Sequence, residues 1–198
     1  MQNVGTATFQ KSAEEVQRET GAYFVHPSNE PNVMAGQGTI ALELFDQIHC
    51  HPQDSDPFDA VIVPIGGGGL ISGITTTLRA INPRIKVIGA EPANADDAYR
   101  SKRDNELRGH EKPPQTIADG LKTTLGSNTW PIVRDLVDEI IPVSEEQICY
   151  ATQLVWERMK IVSGIYTRLE LLASKVWFSY SALNLVREQD SLPCWMIR

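Results

Sequence analysis

Two short apolar runs dominate the middle of the chain: Ala60-Val61-Ile62-Val63-Pro64-Ile65 and Ile85-Lys86-Val87-Ile88-Gly89-Ala90. Both are rich in β-branched residues and neither alternates cleanly with polar ones, which predicts strands buried on both faces. Between them stand four consecutive glycines, Gly66-Gly67-Gly68-Gly69, and then helical spacing from Leu70 to about Ala80, ended by Asn82-Pro83. Strand, glycine turn, helix and strand form a βαβ unit, so the fold class is α/β, a parallel sheet covered by helices.

The pattern extends to both sides. Residues 11–21 predict an amphipathic helix with Gly21 as C-cap, and Tyr23-Phe24-Val25 a short strand ending at His26-Pro27. A single helix is expected from Pro31 to Ile48 with Met34, Ala41, Leu42 and Phe45 on its inner side, followed by a polar surface loop over 49–57. Residues 104–116, charged and proline-rich, read as loop. Trp130 to Val137 predicts a short helix with Pro131 in its first turn. Ser144-Glu145-Glu146-Gln147 is a capping box opening a helix to Lys160, with Ile148, Ala151, Leu154, Val155 and Met159 at helical spacing. There is no internal repeat.

The glycine run carries the first chemical signal. Four glycines give up all side-chain contacts and are costly to order, so bare backbone is needed there. An anion, usually phosphate, held by N–H groups at a helix N-terminus is the commonest such need, whereas a plain strand–helix turn needs one or two glycines. A dinucleotide-binding Rossmann domain is the alternative, since Glu91 stands where that motif places its ribose-binding acid. The spacing fits it poorly: Gly67 and Gly69 supply the first pair, but Ser72 holds the third place and Gly73 follows.

Composition narrows the classes further. With 198 residues, 41% hydrophobic and 22% charged, the chain is one large globular domain or slightly more. A net charge of −7 and a pI near 5.1 argue against nucleic acid as a partner. Residues 161–180 are fairly apolar but carry Arg168, Glu170 and Lys175, so no membrane span is expected. Three unpatterned cysteines (Cys50, Cys149, Cys194) and an N-terminus without basic or apolar signal regions lead to the expectation of a cytoplasmic protein.

Among other candidates, Glu91, Asp96 and Asp97 bring three carboxylates within seven residues. They suit a hard divalent cation, or the acidic start of a helix begun by Asn94 or Asp96. His49-Cys50-His51 has metal-ligand types, but immediate neighbours converge poorly and no second pair follows. His26 reads as structural. No Ser/His/Asp or Cys/His arrangement stands at a meaningful spacing, and the seven lysines sit mainly in charged or loop contexts.

Several segments together resemble one family. Gly36-Gln37-Gly38-Thr39-Ile40-Ala41-Leu42-Glu43, Val63-Pro64-Ile65-Gly66-Gly67-Gly68-Gly69-Leu70 and Glu91-Pro92 are similar to the fold-type II pyridoxal-phosphate enzymes, which include serine and threonine dehydratases and serine racemases. Asn94-Ala95-Asp96-Asp97, Thr116-Ile117-Ala118-Asp119-Gly120, Asn128-Thr129-Trp130-Pro131-Ile132 and the stretch 151–160 sharpen the likeness toward the racemase branch. It covers roughly residues 14–160 and implies a three-layer parallel sheet with flanking helices, part of that family's large domain. By the resemblance, Gly66, Gly67, Gly68, Gly69 and Leu70 cradle the phosphate of pyridoxal 5'-phosphate (PLP). Glu91, the Ala95 carbonyl and Asp97 hold Mg²⁺, Mn²⁺ or Ca²⁺. Asp119, Gly120, Thr123 and Lys160 match the region of a stimulatory ATP. The implied substrate is a serine-class amino acid, racemised or dehydrated to pyruvate and ammonia, and the implied assembly is a homodimer.

Departures from the family qualify this. The motif with the lysine that bonds the cofactor, and the Ser-Gly-Asn loop with the opposing acid/base serine, have no counterpart here, so no catalytic residue is assigned. Ser28 replaces the usual Asn after His26-Pro27, and the loop at 49–56 is longer. After Lys160 the likeness stops. Residues 161–198 are expected to be a divergent tail, read either as translated intron, since Val162-Ser163 is compatible with a splice-donor sequence, or as an alternative terminal exon. The chain is therefore expected to be inactive alone, or to act as a non-catalytic isoform pairing with full-length enzyme.

Overall fold

The computed structural model describes residues 6–48 and 59–160. The expectations for the loop at 49–57, for His49-Cys50-His51 and for the tail 161–198 lie outside the described residues. Helix α1 spans Thr6–Thr20, and Gly21 (φ 72°) closes it by donating its N–H to the Gln17 carbonyl. Then come α2 (Pro31–Gln37), α3 (Thr39–Ile48), β1 (Ala60–Pro64), α4 (Gly69–Ile81), β2 (Lys86–Pro92), α5 (Asp97–Asp104), α6 (Thr129–Leu136), β3 (Glu139–Val143) and α7 (Glu145–Leu154). Helix α7 runs on through a π-helical turn, Val155–Met159.

The sheet order is β1-β2-β3, parallel throughout, with Val61 opposite Val87 and Gly89 opposite Ile140. Strand β2 lies between its two neighbours and is buried from Val87 to Pro92, as a central parallel strand must be. The core joins β1 and β2 to α4 and α6 through Ile65, Ile71, Leu78, Val87 and Val133. Arg79, in the last turn of α4, secures the opposite end of the sheet. Its guanidinium donates to the Leu136 and Ile85 carbonyls, both at 2.7 Å, and pairs with Asp138. The Asp138 carboxylate also accepts the Val87 N–H at 2.6 Å.

Four expectations change. Strand β3 is missing from the sequence reading: Ile140-Ile141-Pro142-Val143 is short and contains a proline, which a strand tolerates at a sheet edge. The stretch Tyr23 to Val25 forms no strand, because no neighbouring strand pairs with it; Tyr23 and Val25 are exposed. The helix expected over 31–48 breaks at Gly38, and Leu42, expected on the inner side, is 49% exposed. Lys102, unremarkable in sequence, donates to the Val133, Arg134 and Val137 carbonyls and closes the C-terminal end of α6.

The break at Gly38 follows from packing. Helix α2 crosses α4 so closely that a Cβ at Gly73 would meet the Met34 carbonyl and lie 2.7 Å from the Gly38 nitrogen. Both contacts are backbone, which cannot rotate aside. Replacing glycine by alanine inside a helix ordinarily stabilises by about 1 kcal/mol. Here Gly73→Ala is expected to destabilise by about 1–3 kcal/mol through overpacking. Urea unfolding reads the sign, and an unchanged or higher midpoint would refute the close crossing.

Candidate functional site

Strand β1 ends at Pro64, and Ile65 still donates its N–H to the Ala90 carbonyl at 2.9 Å. The chain then turns through the glycines, with Gly68 at φ 84° as N-cap of α4, a left-handed conformation that glycine adopts without strain. Ser72 N–H donates to the Gly68 carbonyl at 3.0 Å. The N–H groups of Gly69, Leu70 and Ile71 therefore have no intrahelical acceptor. Cβ atoms on Gly67 and Gly69 would collide with Ser28, and one on Gly68 would lie 2.7 Å from Leu125 and 2.9 Å from Thr129. The run is bare because other loops close over it.

Those loops are tied to it directly. The Thr129 hydroxyl donates to the Gly67 carbonyl and accepts the Gly126 N–H, each at 2.9 Å. Asn29 accepts the Asn128 N–H at 2.8 Å, and its carbonyl accepts from the Asn128 side chain at 2.9 Å. His26 Nδ1 accepts the N–H groups of Ser28 and Asn29, which makes its role structural, as expected. Together the loops enclose a cavity of about 740 Å³ lined by Gly66, Gly67, Gly68, Gly69 and Leu70, all five of the expected cradle positions. No lysine lines it among the described residues. Of the four residues expected near ATP, Gly120 and Thr123 line this same cavity, whereas Asp119 and Lys160 do not. Ser28, Asn29 and Thr129 were not assigned from sequence; they lie some 40 to 60 residues from the glycines, and no spacing rule connects them.

The second cluster lies at the end of β2. Glu91 is fully buried, and its carboxylate accepts the N–H groups of Ala98 (2.9 Å) and Tyr99 (2.8 Å), so it caps α5 from the preceding strand. Asp96, expected as a possible cap, makes no capping bond and pairs with Arg100 instead. With its oxygens engaged by α5, Glu91 is poorly placed for a ribose, which removes the main support for the Rossmann alternative. Asp97 is also fully buried; its Oδ2 accepts the Leu125 N–H at 2.9 Å. Its Oδ1 has no hydrogen-bond partner among the described residues, although His110 Nε2 lies 3.2 Å away.

Burial, and then the neighbouring Asp97 charge, push Glu91 well above the usual carboxylate range. Burial pushes Asp97 up to about 7. Two carboxylates in a dry interior with one oxygen unpartnered lack a positive charge, and hard oxygen donors fit a divalent cation. Among the described residues no three His, Cys, Asp or Glu side chains converge as a finished cage. The third donor is therefore backbone, the carbonyl of buried Ala95 in the single 3₁₀ turn between β2 and α5. The structure thus brings Glu91, Ala95 and Asp97 into one turn of chain.

The raised Asp97 pKa fixes a sign. A carboxyl that ionises near 7 in the fold but near about 3.9 when unfolded makes stability fall as pH rises through that interval, with Glu91 adding the same sign. In chelator-containing buffer the urea midpoint is expected to drop between pH 4 and 7, and Asp97→Asn to flatten the slope. A midpoint that climbs over that range would contradict the buried ionisation.

A family model described as pyridoxal-phosphate dependent enzyme matches residues 4–178. Human serine racemase is 53% identical over 150 residues, 76% of this chain and 42% of that protein. The chain therefore spans less than half the length of this relative. The solved structure of maize serine racemase superimposes with a TM-score of 0.80 at 38% identity, covering 89% of this chain and 54% of the other. A bacterial-type threonine deaminase from T.th. does so with a TM-score of 0.84 at 39% identity, covering 90% and 57%.

Proposed function

Because the chain belongs to the pyridoxal-phosphate dependent enzymes, we propose that its glycine cavity anchors the phosphate of PLP in an enzyme acting on serine-class amino acids. The reactions are interconversion of L- and D-serine and dehydration of serine to pyruvate and ammonia. The observation that carries this reading is the unpaired start of α4 opening into a cavity shaped by bare backbone. Likeness to serine racemases at about half identity supports the substrate class.

The residues fit the cofactor. The N–H groups from Gly66 to Leu70 and the positive end of the α4 dipole would hold the phosphate dianion, with the Thr123 hydroxyl beside Gly66. Thr129 and Asn29 fix the loop so that these donors are oriented before anything binds. Bound there, PLP supplies an electron sink for charge developing at the substrate Cα. The loops that close over the glycines keep water from the phosphate. No lysine in the described lining can join the cofactor covalently, so we propose that the 198-residue chain binds PLP non-covalently and does not turn over serine alone. Exposed Val25, Leu42 and Trp156 support packing against a second chain of this family, as homodimer or heterodimer.

Glu91, the Ala95 carbonyl and Asp97 would hold Mg²⁺, Mn²⁺ or Ca²⁺. The ion neutralises the buried charges and stiffens the junction between β2 and α5, where Asp97 also grips the Leu125 amide. Asp97 thereby connects the cation to the loop that covers the glycines.

Titration of the purified chain with PLP, followed by absorbance, is expected to show binding that inorganic phosphate displaces and that Gly67→Ala weakens about tenfold or more, about 1.4 kcal/mol. Binding indifferent to both would overturn the cradle. Borohydride is expected to fix no cofactor on the chain, and pyruvate formed from serine would refute inactivity. Millimolar Mg²⁺ is expected to raise Tm for the natural chain and not for Asp97→Asn; no shift in the natural chain would remove the metal site.

A further inference from the structure

Building on the metal reading above, we propose that His110 is a nitrogen ligand of the ion held by Glu91, the Ala95 carbonyl and Asp97, sitting beside Asp97 Oδ1. His110 lies in the loop after α5, and its side chain is only 11% exposed. Its Nε2 stands 3.2 Å from Asp97 Oδ1, yet both atoms are buried without a hydrogen-bond partner among the described residues. They are close but not bonded to one another.

The chemistry of the ring explains why. The Lys122 backbone favours the protonated ring as a hydrogen-bond acceptor does, and since Nε2 is unpartnered this bond falls to Nδ1. A neutral imidazole that spends its proton on Nδ1 presents a lone pair at Nε2. That lone pair faces a carboxylate lone pair in a dry interior, where both repel unless a cation lies between them. The groups around the ring do not supply one: Arg100 and Asp96 act on it with opposite sign and are paired with each other.

The distance suits an ion. Two neighbouring ligands of an octahedral ion with bonds of about 2.1 Å are about 3.0 Å apart, against 3.2 Å here. A metal-bound imidazole ordinarily gives its other N–H to a backbone carbonyl or carboxylate, which fixes its orientation. A nitrogen donor moves the preference of the site from Mg²⁺ and Ca²⁺ toward Mn²⁺, Co²⁺ and Zn²⁺. The sequence concealed this residue because the thirteen positions from Asp97 to His110 are bridged by a helix and an irregular loop, with no ligand spacing to recognise.

The test uses Mn²⁺ and the full chain without added cofactor, read by electron spin-echo modulation in natural-abundance protein and in protein carrying ¹⁵N only in histidine. A histidine ¹⁴N modulation replaced by ¹⁵N on labelling, kept in His26→Gln and lost in His110→Gln that still binds Mn²⁺, is the expected result. The ratio of Mn²⁺ to Mg²⁺ affinity is expected to fall about tenfold in His110→Gln. If that variant does not fold, His26→Gln, His49→Gln and His51→Gln assign the signal by elimination. Mn²⁺ bound without any histidine nitrogen signal overturns His110 as ligand and leaves the oxygen-donor site standing. No Mn²⁺ binding overturns both.

Discussion

Unpaired amides at the starts of two helices are the constraint around which this structure is arranged. Strands β1 and β2 both deliver the chain to a helix N-terminus at the same end of the sheet, and buried N–H groups there need acceptors. At α5 the protein supplies one itself, the Glu91 carboxylate on the Ala98 and Tyr99 amides. At α4 it supplies none from the turn, which is all glycine. Equivalent positions in the sheet are thus treated in opposite ways, one closed internally and one left open to the cavity.

Closing α5 has a consequence. Placing Glu91 in the interior brings a charge next to buried Asp97, and burial raises the pKa of both. The unpartnered Asp97 Oδ1 is the remainder of that arrangement, and a cation is the simplest group that satisfies it. Because Asp97 also holds the Leu125 amide, and a Cβ on Gly68 would touch the Leu125 side chain, the acidic turn and the glycine turn are mechanically joined. Whatever is bound at one fixes a wall of the other.

Close approach of backbones is the second requirement. Gly73 against Met34 and Gly38 sets the crossing of α2 and α4, and Gly67 and Gly69 against Ser28 set the approach of the loop after Pro27. Glycine serves there by being small, whereas at Gly68 it serves by adopting φ 84°. Gln37, the last residue of α2, lines the cavity, so the crossing also positions part of the site.

Local pattern was enough to define the βαβ unit, the capping box at Ser144 and the helix after the glycines, since each is decided by periodicity or by side chains within a few residues. The need for bare backbone before α4 was equally legible, because four glycines have no local excuse. Strand β3 was not, since five residues with a proline become a strand only when β2 offers an edge. Nor was the role of Glu91, which reads as a ribose acid or metal ligand until α5 is folded against it. Asn29, Thr129 and His110 meet the site from loops distant in sequence. Contacts of that kind depend on how helices and strands pack in three dimensions, and one chain carries no periodic trace of them.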